Sequence, residues 1–338
     1  MIMSNGTHPT NSIKDVIVGV DIGGTKIHVL VVDEHDNELA QFTAPTDVSS
    51  EQGTLESIVN AVKTAVHQAN KNLENIIGVG IGLPGKIDRT TGQVDIAVNL
   101  NWQNYPAGQN LEQSLNVPCH LENDVRLAAL GCHHYLYPDV NNLIYITIGT
   151  GVAAGVILNG HLYRGSNNIA GEFGHSVVDS NGSICKCGNR GCLETFVAGP
   201  AFATYAQRAK TGVLAEINTQ KEVTAVDVFN AAQQNDPTAL DIVQKAGSIL
   251  GQALQNLIMT YDPDKIILGG GVSHAGNIFL QSILREWQRQ ASSSQFAAEL
   301  LKSTKLELAP LTRNFGAWGG IGLIKENYSQ SEPSVYYL

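Results

Sequence analysis

Residues 16–32 have the sequence VIVGVDIGGTKIHVLVV. Residues 16–20 form an apolar run typical of a buried strand, residues 21–26 (DIGGTK) predict a turn, and residues 27–32 predict a second strand. This order differs from that of a dinucleotide-binding unit, in which the glycines lead into a helix. The stretch therefore indicates an α/β fold that starts from two paired strands joined by a glycine turn.

The same pattern occurs again in the second half of the chain. Residues 143–148 predict a strand, residues 149–151 (Gly-Thr-Gly) a turn, and residues 152–158 another strand. Aligned by eye, DIGGT at residues 21–25 falls on TIGTG at residues 147–151. We therefore expect a duplicated unit, with one copy in each of two domains. The length of 338 residues agrees, since roughly 150 residues per domain is usual.

Other segments complete the α/β pattern. Apolar residues at helical spacing predict a helix over residues 54–70, and residues 75–81 predict a strand that ends in a GLPG turn. Asp236 and Pro237 are a typical helix start and predict a helix that runs to about Tyr261. A strand over residues 265–268 leads into three glycines, and a final helix is predicted from Asn314.

The predicted elements divide the chain into a tail and two domains. Residues 1–15 are expected to form a flexible N-terminal tail. A small α/β domain comprises residues 16–121 and 314–330, and a large α/β domain comprises residues 122–313. Because no low-complexity linker separates the two domains, we expect them to be in close contact around a cleft.

Composition and charge exclude several classes of protein. The 21 Lys and Arg residues against 31 Asp and Glu residues give a net charge of -10, with no basic cluster for nucleic-acid binding. The sequence contains no run of about 18 apolar residues, so no membrane-spanning helix is predicted. The polar N-terminus lacks the apolar core of a signal peptide, so we expect a cytoplasmic protein.

Three glycine turns follow predicted strands, at residues 23–24, 149–151 and 269–271. Glycine permits positive φ and lets a backbone approach a bulky ligand closely, and successive backbone N–H groups in such turns can bind anions. Thr25 and Thr150 add hydroxyl donors, while Lys26 and Asp21 could engage a phosphate and a hydrated Mg²⁺. Each turn alone is equally well an ordinary tight turn. Three of them in two similar halves favour a nucleotide held between the domains.

A cluster of cysteines predicts a metal site. His175, Cys185, Cys187 and Cys192 form a Cys₃His set within a loop at residues 175–192, which suits tetrahedral Zn²⁺. A free cysteine is often a small buried hydrophobe, but three within eight residues, interleaved with charged residues, do not resemble a core element. A closed set of four protein ligands indicates a structural zinc.

Polar residues also follow the apolar segment at residues 117–121. Asn123 and Asp124 could bind adjacent hydroxyl groups of a substrate there, and Asp124 could serve as a general base. The alternative is that they cap a helix, since Asn and Asp are good N-caps and residues 125–130 are predicted to be helical.

Taken together, these motifs resemble the ROK family of sugar kinases and repressors. The resemblance rests on DIGGTK (21–26), GVGIGLPGKID (78–88), NLNWQN (99–104), ENDVRLAALG (122–131), IGTGVAAGVILNG (148–160), AGEFGH (170–175), CKCGNRGCLE (185–194) and LGGGVS (268–273). It implies an actin-like ATPase (hexokinase-like) fold, with two RNase H-like domains around a cleft, and a homodimer.

The resemblance also implies roles for individual residues. Asp124 would deprotonate a sugar hydroxyl, usually that on C6, and the zinc would hold the loop that contributes sugar ligands. The residues implied to bind the sugar are Asn123, Asp124, Glu172, His175 and Glu194. Those implied to bind ATP with Mg²⁺ are Asp21, Gly23, Gly24, Thr25, Lys26, Thr150, Gly151, Gly270 and Gly271, the last two near the adenosine.

An ATP-dependent hexose kinase, in particular a glucokinase of glycolysis, is the function that the resemblance favours. An N-acetylglucosamine or N-acetylmannosamine kinase is the alternative, because the same hydroxyl-binding set serves those sugars. A sugar-responsive repressor is less expected, since about twenty residues precede Asp21, fewer than the 50 or more of a typical domain. Arg126, Cys132 and His133 depart from the usual family residues.

Overall fold

A computed structural model of the protein describes residues 14–331, apart from the side chains of residues 273, 274 and 329–331. Residues 1–13 of the predicted tail lie outside the described residues. No helix in the described part of the chain is long and apolar enough to cross a membrane.

The strands, numbered in chain order, are β1 (Val16–Ile22), β2 (Lys26–Asp33), β3 (Glu38–Pro45), β4 (Ile76–Leu83), β5 (Lys86–Asp88), β6 (Gln93–Ala97), β7 (Trp102–Tyr105), β8 (Cys119–Asn123), β9 (Leu143–Ile148), β10 (Val152–Leu158), β11 (His161–Tyr163), β12 (Lys265–Gly269) and β13 (Lys305–Leu308). The glycine turns at residues 23–25 and 149–151 join β1 to β2 and β9 to β10, as the sequence predicts.

The α-helices are α1 (Glu51–Gln68), α2 (Ala107–Leu115), α3 (Asp124–Leu136), α4 (Glu194–Val197), α5 (Gly199–Ala206), α6 (Gly212–Asn218), α7 (Ala225–Gln233), α8 (Pro237–Tyr261), α9 (Asn277–Ser293), α10 (Gln295–Ser303) and α11 (Phe315–Ser331). Short 3₁₀ helices cover Leu73–Asn75, Val98–Leu100, Phe173–His175 and Gly271–Ala275. The predicted start of α8 is confirmed, because the Asp236 side chain accepts a hydrogen bond from the Ala239 N–H at 2.9 Å.

Two five-stranded sheets share one topology, which confirms the predicted duplication. Their strand orders are β3-β2-β1-β4-β8 and β11-β10-β9-β12-β13. In each sheet the first three strands are antiparallel and the last two run parallel to the central strand. A smaller antiparallel sheet of β5, β6 and β7 follows β4.

The chain divides into two compact units, each with its own apolar core. The first unit is Met1–Asp124 with Gly316–Leu338, and the second is Val125–Phe315. The predicted limits at residues 121 and 313 therefore differ from these by two or three residues. At the first limit, β8 continues to Asn123, and α3 begins at the next residue without a loop.

In the first unit, α11 packs directly against the backbone of β1 and β4. A Cβ atom on Gly19 would lie 1.9 Å from the carbonyl oxygen of Ala317, and one on Gly80 would lie 2.0 Å from that of Gly320. Side chains at these two strand positions would therefore push the helix away. The same helix begins beside Asp21, because a Cβ on Gly316 would lie 2.7 Å from the Asp21 Cγ. The close approach of helix and sheet thus fixes the surroundings of Asp21.

This packing predicts that one added methyl group on β4 strongly destabilises the protein. Overfilling a packed interior typically costs about 1–3 kcal/mol, and Gly80→Ala meets helix backbone rather than a movable side chain. We expect Gly80→Ala to lower the free energy of unfolding by at least about 2 kcal/mol, measured by urea denaturation.

Gly78→Ala on the same face of β4 is the matched control. Its Cβ would meet only the methyl ends of Ile324, at 3.1 and 3.2 Å, which can shift. Its effect should stay within about 1 kcal/mol, because alanine also restricts the unfolded chain. Equal losses in the two variants would contradict this account of the packing.

Candidate functional site

The loop that carries the cysteines folds back as a short hairpin. An isolated β-bridge joins Ile184 to Arg190, and the backbone N–H of Cys185 donates to the carbonyl oxygen of Asn189 at 2.7 Å. Gly188 lies at the tip with a φ of +92°, a conformation that favours glycine. The tight tip returns the chain so that all three cysteines can face one point.

The predicted metal ligands lie together. The ligand atoms of His175, Cys185, Cys187 and Cys192 all lie within 4.8 Å of one another. The Cys185 Sγ is 3.7 Å from the His175 Nδ1, and the Cys187 Sγ is 3.6 Å from the Cys192 Sγ. Tetrahedral zinc, with bonds of about 2.3 Å to sulfur and about 2.0 Å to nitrogen, places its ligand atoms roughly 3.5–3.8 Å apart. The donor set and its spacing therefore fit Zn²⁺.

The cysteines differ in their tendency to ionise. A hydrogen bond from the backbone of Asn189 lowers the pKa of Cys187, whereas burial raises the pKa of Cys192. Burial also raises the pKa of Cys119 and Cys132, both outside the cluster, to about 12, so these two remain thiols. A bound cation would reverse the effect of burial at Cys192 by displacing its proton.

Two carboxylates flank the metal cluster. The Glu172 Oε2 lies 3.9 Å from the Nε2 of His175, on the opposite side of the ring from the nitrogen that faces Cys185. The Glu194 Oε1 lies 3.9 Å from the Cys185 Sγ. The structure therefore brings the three predicted sugar ligands of this loop, Glu172, His175 and Glu194, around one group of metal ligands.

Glu194 also contacts the glycine turn at residues 149–151. Its Oε2 accepts a hydrogen bond from the backbone N–H of Val152 at 2.9 Å. A Cβ on Gly151 would lie 2.6 Å from that oxygen, so the turn needs glycine for close approach rather than for positive φ. A second hydrogen bond also holds the turn, because the Gly199 N–H donates to the Gly149 carbonyl oxygen at 2.7 Å.

A cavity of about 790 Å³ opens beside this turn in the second unit. Gly149, Thr150 and Gly271 line it together with residues of α5 and α7. A Cβ on Gly149 would approach nothing closer than the Gly271 backbone nitrogen, at 3.8 Å, so the space in front of both glycines is open. Backbone groups, a threonine hydroxyl and a large, mostly apolar cavity are what a nucleotide requires.

In the third glycine turn, Gly270 and Gly271 have different roles. Gly270 has a φ of +81°, and a Cβ there would lie 2.6 Å from the Thr147 Oγ1, so it shapes the turn. Gly271, not Gly270, lines the cavity. No local sequence pattern predicts the helical wall of the cavity, which includes Pro200, Val226 and Phe229.

In the first unit, the turn at residues 23–25 is closed by its own hydrogen bonds. The Gly23 N–H donates to the Lys26 carbonyl oxygen at 2.9 Å, and the Thr46 hydroxyl donates to the Gly23 carbonyl oxygen at 2.7 Å. Thr25 and Lys26 are exposed. Gly24 provides close approach, since its Cβ would lie 3.2 Å from the Asn99 carbonyl oxygen. Neither Gly23 nor Gly24 has positive φ, so this turn does not use that property of glycine.

Asn123 and Asp124 lie where β8 passes into α3. The Asn123 amide donates to the Gly85 carbonyl oxygen at 3.4 Å. The preceding Glu122 is only 1% exposed, and it accepts the Asn123 N–H at 3.0 Å and lies 3.4 Å from the Arg89 Nε. Sequence reasoning missed the roles of Glu122 and Arg89, which hold the backbone just before Asp124.

Comparison with known proteins identifies the family. A model of the ROK family matches residues 17–327. The chain belongs to the ROK family. A glucokinase from Halalkalibacterium halodurans is 32% identical over 324 residues, which cover 93% of this chain and 96% of that protein. A glucokinase from Streptomyces coelicolor is 36% identical over 80% of this chain and 87% of its own. A xylose repressor from Bacillus subtilis is 28% identical over 92% of this chain and 77% of its own.

Solved structures of ROK proteins share the fold. A ROK glucokinase from Streptomyces griseus, in complex with glucose and AMPPNP, is 30% identical, with a TM-score of 0.75 over 92% of this chain and 99% of that one. A ROK hexokinase from Thermus thermophilus is 28% identical, with a TM-score of 0.76 over 93% of this chain and 99% of that one. The predicted actin-like ATPase fold is confirmed.

The metal cluster generates a prediction about composition. Purified protein should contain about one zinc per chain, because the four ligands form a closed site. Cys187→Ser removes an exposed member of the set and should lower the zinc content, measured by elemental analysis, together with the melting temperature.

Cys119→Ser is the matched control, because Cys119 is buried outside the cluster and should not affect the zinc content. Fully active wild-type protein that contains no metal after purification under reducing conditions would count against a structural zinc.

Proposed function

We propose that this ROK protein is an ATP-dependent kinase that phosphorylates the C6 hydroxyl of a hexose, with glucose as the preferred sugar. The observation that carries the proposal is the bond between Glu194 and the Val152 N–H. It joins a loop rich in hydroxyl-binding side chains to a glycine turn beside a cavity of nucleotide size. The glucokinase relatives and the structure with glucose and AMPPNP support the same reading.

ATP would occupy the cavity of the second unit. Its phosphates would bind the backbone N–H groups of the turn at residues 149–151 and the Thr150 hydroxyl, with the adenosine near Gly271. The turn that includes Gly23, Gly24 and Thr25 would bind phosphate from the first unit, with Lys26 beside it. Mg²⁺, held through water by Asp21, would neutralise phosphate charge when bound.

Asp124 would act as the general base. It would accept the proton of the C6 hydroxyl, whose oxygen forms a bond to the γ-phosphorus of ATP while the bond to the β–γ bridging oxygen breaks and ADP leaves. Phosphoryl transfer needs little covalent chemistry from the protein, so positioning and charge neutralisation contribute most of the rate.

The remaining hydroxyls would bind Asn123, Glu172, His175 and Glu194. Carboxylates accept hydrogen bonds from hydroxyl groups, and the metal cluster would hold Glu172 and Glu194 in place through its neighbouring ligands. These two carboxylates would therefore be positioned by their contacts with the metal ligands His175 and Cys185.

Replacing the base should remove most of the activity. Asp124→Asn keeps the shape of the side chain but not its basicity, and losing a general base typically costs about 10²–10⁴-fold in kcat. A coupled ADP-release assay with glucose measures the effect. Asp241→Asn, an exposed carboxylate that pairs with Lys245 on α8, is the control and should keep wild-type kcat. Near wild-type kcat in Asp124→Asn would overturn the proposed mechanism.

A panel of sugars tests the substrate. We expect glucose to have the highest kcat/KM among glucose, mannose, fructose, N-acetylglucosamine and N-acetylmannosamine. A site built to bond a 2-hydroxyl leaves a polar group unpaired when that hydroxyl is replaced, and an acetamido group must also fit sterically.

Either of two results would contradict the proposal that glucose is the preferred substrate. A kcat/KM for an N-acetylhexosamine tenfold above that for glucose would favour the alternative kinase. Sugar binding without ADP release from any sugar would favour a sugar-responsive regulator instead.

A further inference from the structure

Arg126 is buried in the second unit, at the start of α3 and two residues after Asp124. Only 6% of the residue is exposed. A buried guanidinium cannot lose its charge and must be matched by hydrogen-bond acceptors. The acceptors around Arg126 therefore indicate what it does in the fold.

Its Nη2 group bonds two carbonyl oxygens of one loop. It donates to the Asn168 oxygen at 2.7 Å and to the Ala170 oxygen at 3.1 Å. The next residues are Gly171 and Glu172, so Arg126 holds the backbone immediately before a proposed sugar ligand. Hydrogen bonds from a charged donor are about twice as strong as neutral ones, and two on one group fix direction as well as distance.

The loop is held from β10 as well. The Ala154 N–H donates to the Gly171 carbonyl oxygen at 2.7 Å, and the Phe173 N–H donates to the same oxygen at 2.6 Å. Gly171 has a φ of +100°, and its Cβ would lie 1.9 Å from the Ala154 carbonyl oxygen. Between the contacts of Arg126 and those of Ala154, the peptide that enters Glu172 has little freedom to move.

Arg126 itself is fixed by the packing of its helix. A Cβ on Gly155 of β10 would lie 2.5 Å from the Ala129 Cβ and 3.2 Å from the Arg126 Cα, so α3 lies directly against the strand. The guanidinium therefore extends from a closely packed stretch of backbone. A shift of the loop would have to break its bonds to Arg126 rather than move the arginine.

We propose that Arg126 is a positioning residue for sugar binding, which sets the orientation of Glu172 by holding the carbonyl groups of Asn168 and Ala170. The inference rests on the proposed function, since Glu172 must bind the sugar. It adds a link between the helix that begins with the base and the loop that carries a hydroxyl ligand. Arg126 touches the loop backbone and acts through Glu172.

The test compares three variants with the wild type. Arg126→Gln removes the charge and places its amide donors two bonds nearer the backbone than the Nη2 group, whereas Arg126→Lys keeps a charged donor. Misplacement of a binding group by about 1 Å can cost on the order of 10²-fold in activity. We expect Arg126→Gln to raise the KM for glucose about 10- to 100-fold with the KM for ATP unchanged, and Arg126→Lys to recover part of the loss.

Arg164→Gln is the matched control. Arg164 precedes the same loop, and its guanidinium donates to the carbonyl oxygen of Leu162 at 3.3 Å. The Ala170 N–H bonds the Arg164 backbone oxygen, which the substitution leaves in place. This variant should keep the wild-type KM for glucose. Hydrogen exchange should rise for residues 168–173 in Arg126→Gln, but not in Arg164→Gln.

The outcomes separate this proposal from the proposed function. An active wild type with an unchanged KM for glucose in Arg126→Gln would overturn the positioning role and leave the kinase standing. Equal rises in the KM values for glucose and ATP, or equal effects of the Arg126 and Arg164 variants, would also overturn it, because they would indicate general loss of structure. An inactive wild type would overturn both proposals together.

Discussion

The carboxylate of Glu194 connects two parts of the second unit that are far apart in sequence. One of its oxygens accepts the Val152 N–H at 2.9 Å, directly after the glycine turn, and the other lies 3.9 Å from the Cys185 sulfur. Gly151 permits this approach because a Cβ there would meet the carboxylate at 2.6 Å. One side chain therefore contacts both the cysteine loop and the glycine turn.

The duplicated topology explains why turns of similar sequence lie at corresponding places. In each sheet the hairpin of the central strand turns at the same position, after Ile22 and after Ile148. The glycines nevertheless meet different neighbours: Gly24 faces the backbone of Asn99, whereas Gly151 faces a carboxylate. The two copies thus share the position of the turn but differ in the residues that contact it. The glycines alone therefore do not show which contacts a turn makes.

The sequence predicts local features well and long-range contacts poorly. The strand–turn–strand units, the start of α8 at Asp236 and the Cys₃His set follow from patterns within a few residues of one another. The helical wall of the cavity and the contacts of Arg126 depend on how α3, α5 and α7 pack, which no local pattern records. Positive φ occurs at Gly270 but at no glycine of the first two turns, where close packing constrains Gly24 and Gly151.

The chemistry of the metal ligands limits what a zinc could contribute. Three thiolates and one imidazole fill a tetrahedral coordination shell, so a zinc there has no open position for a substrate oxygen or a water. Glu172 and Glu194 approach ligand residues, His175 and Cys185, rather than completing that set. A zinc at this site would therefore affect a substrate only through the positions of these carboxylates. In the proposed mechanism, proton removal and phosphate binding are therefore assigned to other groups, Asp124 and the backbone N–H groups of the glycine turns.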